Sequence, residues 1–152
     1  MKIPTSPPFR IRALGEVAVR CKDMTSMVDF YENTLGLDRM PGDHGTGIAF
    51  FRIGKGFGGH TTVLALFQAD APQRDVHPTG SASVETGAGS SLHHIALTVA
   101  FADQQRIIDW YEKINQPYSI QNFGWVGWRG IFTTDPEGNT VELVAYDDSL
   151  RD

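Results

Sequence analysis

Apolar residues along this chain change period twice, in the same order each time. From Gly15 to Cys21 they read as a short strand, and from Met24 they adopt helical spacing, with Met24, Met27, Val28, Tyr31 and Leu35 at i, i+3, i+4, i+7 and i+11. Asp23 or Thr25 is the expected N-cap of this helix, and Gly36 its stop. Strand-like stretches follow near Ile48–Ile53 and Thr61–Phe67, with the glycine-rich GKGFGG between them as a hairpin loop. A second strand-to-helix change begins with a strand from about His93 to Val99. The helix after it carries Ile107, Ile108, Tyr111 and Ile114 on one face and Asp103 near its start. Strands then fit Tyr118–Phe123, Arg129–Thr134 and Thr140–Tyr146, and DPEGN supplies proline and glycine for a turn between the last two.

The repetition extends to the residues themselves. LGEVAV, from Leu14, is followed by DFYE, and LHHIAL, from Leu92, is followed by DWYE; the offset is 78 between Glu16 and His94 and 80 between Tyr31 and Tyr111. Units this long do not stack as a solenoid, so they read as two halves of one domain, about 11–68 and 91–148. The predicted fold class is α+β: two paired βαβββ modules that form a curved mixed sheet with helices on the outside, and a seam between them. From Ala69 to Ser91 the chain is rich in Ala, Pro, Gly, Ser and Thr without periodicity, as expected of a linker.

Composition narrows the partners. With 152 residues, 41% of them hydrophobic, the chain has enough material for one core and too little for two sizeable domains. A formal charge of -5 disfavours nucleic acid and anionic membranes, both polyanions, and makes a small molecule the expected partner. MKIPTSPPF has no apolar h-region, no long hydrophobic run follows it, and a single cysteine makes no intrachain disulfide, so cytoplasmic residence is expected. P-loop, G-x-S-x-G and paired C-x-x-C motifs are absent.

Strand parity isolates the polar residues that do not belong in a core. Val17, Val19 and Cys21 share one face, opposite Glu16, Ala18 and Arg20; Ile95, Leu97 and Val99 lie opposite His94, Ala96 and Thr98. In the last strand Val141, Leu143 and Ala145 lie opposite Thr140, Glu142, Val144 and Tyr146. If the helices cover the aliphatic faces, Glu16, His94 and Glu142 all point away from them. Burying carboxylates costs several kcal/mol unless something offsets it, and two carboxylates with an imidazole suit a divalent metal; solvated or structurally paired side chains are the alternative. His93 faces the other way if its strand is regular, and only a bulge would bring it to the same side. His60 is expected at a surface or strand end, and His44 and His77 in solvated loops.

The segments EVAVRCKDMTSMVDFYENTLGL, HHIALTV and TTDPEGNTVELVAY, together with the duplication, resemble the vicinal oxygen chelate superfamily, which holds glyoxalases, bleomycin-resistance proteins and extradiol dioxygenases. The resemblance implies four metal-ligand positions, at the start of the first strand and in the last strand of each half. Here they are Glu16, Ala65, His94 and Glu142. Ala65 cannot ligate, which leaves Glu16, His94 and Glu142 as the implied metal set and transfers the proton-moving role to Glu16, Glu142, water or another side chain. The doubly anionic set suits one divalent ion among Fe(II), Mn(II), Ni(II) and Zn(II). Phe123, Trp125, Trp128 and Arg129 fall where this family walls its cavity; Arg129 is a candidate for an anionic substrate oxygen, and Tyr146 shares the parity of Glu142. The implied function is a metal-dependent enzyme acting on a small oxygen-chelating substrate, first as a glyoxalase-like lyase or isomerase. Alternatives are a ring-cleaving dioxygenase and a non-catalytic, bleomycin-resistance-like binder of an aromatic or cationic ligand. Modules of this kind pair within a chain or swap between chains, and a homodimer is expected.

Overall fold

A computed structural model describes residues 7–41, 47–69 and 92–152. His44, His77 and nearly all of the expected linker lie outside the described residues. The chain divides into two compact units, Met1–Ala82 and Ser83–Asp152.

In the first unit, β1 (Glu16–Cys21) leads into α1 (Met24–Asp29), followed by β2 (Asp38–Arg39), β3 (Ile48–Lys55) and β4 (Thr61–Gln68). They form a four-stranded sheet in the order β1-β4-β3-β2, with β1 parallel to β4 and the other pairs antiparallel. Asp23 is the N-cap, its carboxylate accepting from the Ser26 amide at 3.2 Å. The helix does not run regularly to its end. Phe30–Thr34 is a π-helical turn, in which the Leu35 amide donates to the Phe30 carbonyl at 2.9 Å. Gly36 (φ 74°) then reverses the chain as expected, and the Leu37 amide donates back to Tyr31. The short β2 was not marked in the hydrophobic pattern because two exposed, charged residues carry no period. Val19, Cys21, Met27, Tyr31, Phe51, Leu64 and Leu66 are the core of this unit.

The second unit repeats the plan with β5 (Ile95–Thr98), α2 (Gln104–Ile114), β6 (Ser119–Phe123), β7 (Trp128–Thr134) and β8 (Thr140–Tyr146), in the sheet order β5-β8-β7-β6. Asp103 closes a 3-10 turn ahead of α2 and pairs with Arg106 at 2.9 Å instead of capping a backbone amide. DPEGN joins β7 to β8, with both Asp135 oxygens occupied by groups of its own loop: Oδ1 accepts from the Glu137 and Asn139 amides and Oδ2 from the Asn139 side chain. No helix among the described residues is long and apolar enough to cross a membrane.

One polar residue fastens α2 to its sheet. Gln104, fully buried, donates from Nε2 to the carbonyls of Arg129 (2.7 Å) and Leu143 (3.3 Å), and its Oε1 accepts from Arg129 Nε at 2.6 Å. Replacing Gln104 by Leu removes three buried or part-buried hydrogen bonds, one of them to a charged group, at about 0.5–1.5 kcal/mol for each neutral bond and more for the charged one. Urea denaturation of Gln104→Leu is therefore expected to show a stability loss of at least about 2 kcal/mol; a change under about 0.5 kcal/mol would contradict this account.

Tyr111 presents the opposite case. Its hydroxyl is buried without a hydrogen-bond partner, and burial pushes its pKa up to about 12. A phenol whose pKa rises on folding contributes its stability below the unfolded value near 10 and loses it as pH climbs towards 12. Tyr111→Phe removes an unsatisfied group, so it is expected to be neutral or stabilising at pH 7, and to make the decline in unfolding free energy between about pH 10 and 12 shallower than in the parent.

Candidate metal centre

Glu142 belongs to β8, where Val141, Leu143 and Ala145 are buried beneath α2 and Glu142 takes the opposite face. It too is buried, only 6% exposed, although its face is directed away from the helix. The cover comes from β7. Phe132 lies directly opposite Glu142 in the antiparallel ladder, and Glu142 Oε1 lies where a side chain on Gly130 would begin. A glycine inside a strand marks close approach by another group, and here that group is a carboxylate. Glu142 Oε2 faces His94 Nε2 at 3.3 Å, and the His94 ring meets Phe132 edge-on.

His94 does not sit in the strand. Regular pairing begins at Ile95, so residues 92–94 approach β5 as irregular chain and strand parity does not extend to His93. The regular strand on which His93 was expected to face away begins only after it; its ring packs against His94 with centroids 5.0 Å apart, and the two Nδ1 atoms are 2.7 Å from one another.

The other expected site residues are distributed unevenly. Glu16 opens β1 of the first unit with its side chain exposed, the counterpart of His94 by order in the fold. Register confirms Ala65 as the counterpart of Glu142, since Ala65 pairs with Ala18 and Phe50 as Glu142 pairs with Ala96 and Phe132. His60 is exposed at the residue before β4, as expected, with its ring over Gly15. Trp128 shares the β7 face of Gly130 and Phe132 and pairs across the ladder with Tyr146, whose hydroxyl donates to Asp148 at 2.7 Å. Trp125 is exposed in the turn before them. Arg129 is not brought to Glu142. It has the opposite parity on β7, stacks over Phe101 at 4.8 Å and donates to Gln104, so its guanidinium serves the contact between α2 and the sheet.

Among the described residues no group of three His, Cys, Asp or Glu side chains is assembled, and the pair His94–Glu142 is what the second unit brings together. That pair fits half of a divalent-ion site. Two donors each about 2.1 Å from one ion stand about 3.0–3.4 Å apart at angles between 90° and tetrahedral, and the observed 3.3 Å lies in that span. The sequence reading set His93 aside on the premise of a regular strand, and it missed Gly130. A glycine within the expected strand Arg129–Thr134 was the available signal for the second, while only the strand's late start reveals the first.

Comparison with known proteins agrees with this architecture. The sequence profile of the Glyoxalase/Bleomycin resistance protein/Dioxygenase superfamily matches residues 13–143, and the chain belongs to that superfamily. Lactoylglutathione lyase from Agrobacterium tumefaciens is 21% identical, with 92% of this chain and 96% of that one covered at a TM-score of 0.65. A glyoxalase/dioxygenase from Nostoc punctiforme is 19% identical, covering 97% and 100% at a TM-score of 0.67. A glyoxalase/bleomycin resistance protein/dioxygenase from Nocardioides, 19% identical, covers 96% and 88% at 0.62. At these identities the likeness is one of fold, and the fold is glyoxalase-like. No curated protein matches the sequence.

The carboxylate and the glycine form a unit that mutagenesis can separate. Gly130→Ala places a methyl group against Glu142 Oε1 and Phe132, and overpacking of this kind costs about 1–3 kcal/mol. In a Glu142→Ala background the penalty is expected to shrink by about 1 kcal/mol or more, as a double-mutant cycle would show; additive penalties would mean that Glu142 does not need the space.

Proposed function

We propose that this chain is a metal-dependent enzyme of the vicinal oxygen chelate type, with one divalent ion held by Glu16, His94 and Glu142. The observation that carries the reading is the buried Glu142 carboxylate, paired among the described residues only with His94, at 3.3 Å. A carboxylate out of water with one imidazole for company is poorly compensated, and a cation is the partner that such a pair most rewards. A bound Fe(II), Mn(II), Ni(II) or Zn(II) would act as a Lewis acid on neighbouring oxygens of a small substrate.

The protein's own residues divide the remaining work. Phe132 and Gly130 enclose Glu142 and keep water from it, so its carboxylate is held in place instead of being solvated. Glu16, exposed and with no hydrogen bond or ion pair among the described residues, is the carboxylate available to take a proton from substrate. This favours glyoxalase-like lyase or isomerase chemistry, in which a proton moves between adjacent carbons, over ring cleavage. A small-molecule substrate and a homodimer belong to the same reading. The second reading, a non-catalytic binder of an aromatic or cationic ligand, is favoured by the exposed Trp125, Trp128 and Tyr146.

Metal analysis distinguishes the two. Protein purified without chelator is expected to carry about one transition-metal ion per chain, and His94→Ala, Glu142→Ala and Glu16→Ala each to lose most of it. Substoichiometric metal that is unchanged by these substitutions would sink the enzyme reading and leave the binder.

A further inference from the structure

We infer that His93 is a positioning residue for the metal ligand His94, through a direct Nδ1 to Nδ1 hydrogen bond that fixes which His94 nitrogen faces Glu142. The inference rests on the metal-centre reading above for its purpose, but not for its geometry. The 2.7 Å separation between the two Nδ1 atoms requires that one ring donate and the other accept. With Glu142 ionised and both rings neutral, Oε2 accepts the His94 Nε2–H at 3.3 Å, His94 Nδ1 is bare, and His93 supplies an Nδ1–H to it.

Were His94 to hold a cation through Nε2, its hydrogen would sit on Nδ1 and be donated outward. His93 can accept it, because an imidazole exchanges donor and acceptor roles at Nδ1 by taking its own hydrogen on Nε2. The exposed His93 ring leaves that atom open to water. The exchange balances: His94 Nε2 gives up one hydrogen to water, one passes from His93 to His94 across the shared bond, and His93 Nε2 takes one from water. Neither ring changes its charge. A backbone amide beside His94 could serve only the first arrangement and a carbonyl only the second, which is why an imidazole suits this place.

Two substitutions separate hydrogen bonding from packing. His93→Phe keeps an aromatic ring against His94 and removes the bond; His93→Asn keeps, near the Nδ1 position, an amide that can donate or accept. Long-range proton–nitrogen NMR of the imidazoles in metal-free protein reads the position of each ring hydrogen, and competition with a chromophoric chelator reads Zn(II) affinity. In wild type, His94 is expected as the Nε2–H form. In His93→Phe that form should give way to a mixture, with Zn(II) affinity about tenfold or more weaker, while His93→Asn retains both properties to within about threefold. An unchanged His94 pattern and affinity in His93→Phe would overturn the inference, and so would His93→Asn behaving like His93→Phe. A disturbed His94 pattern in His93→Phe, with no Zn(II) binding by any version, supports the positioning role and overturns only the metal reading.

Discussion

A carboxylate buried on the face of a β-sheet that has no helix over it governs this structure's second unit. Glu142 cannot be solvated, so each neighbour must either make room for it or answer its charge. Gly130 makes room by having no side chain where Oε1 lies, and Phe132 covers it from the facing strand. His94 answers the charge with Nε2 3.3 Å from Oε2, two residues before the Ala96 that pairs with Glu142. His93 in turn meets His94 through Nδ1 at 2.7 Å. The result is a chain of three polar side chains, ordered from solvent to core.

The duplicated plan makes the asymmetry informative. Both units pair their first strand in parallel with their last, in the same register, and both set a phenylalanine opposite the key position. In the first unit that position holds Ala65, buried, with Phe50 and Phe67 in edge-to-face contact nearby. Nothing there calls for a glycine, and Ile48 stands at the register position that Gly130 occupies in the second unit. The first unit thus has neither the carboxylate nor the glycine that makes room for it, and the second has both.

Much of this was legible in the sequence because helix and strand periods differ and because the chain shows its plan twice. Parity alone placed Glu142 opposite the helix-facing Val141, Leu143 and Ala145, and Gly36 ended the first helix where expected. Parity failed at two kinds of place. It does not apply outside a paired strand, so it could not say that His93 meets the His94 ring. It also says which residues share a face but not what meets them, so the engagement of Arg129 by Gln104 and Phe101 was hidden. The charged pair Asp38–Arg39 forms β2 through its register with Phe51 and Arg52, a non-local cause that no window of sequence contains.

Strand β7 shows how one segment serves two purposes without compromise. Its odd-numbered residues build the helix contact: Arg129 binds Gln104, Ile131 is fully buried, and Thr133 accepts from Gln116 while donating to the Pro117 carbonyl at 2.7 Å. Its even-numbered residues, Trp128, Gly130 and Phe132, form the surface around Glu142. Because adjacent residues face opposite ways, the stability of the unit and the chemistry of the pair are encoded in alternate letters of the same seven. A substitution on the second set can alter what the site accepts without loosening the helix, so long as the space held open by Gly130 is kept. On this physical ground one scaffold can carry many activities, and function must be read from the residues of the site and not from the fold.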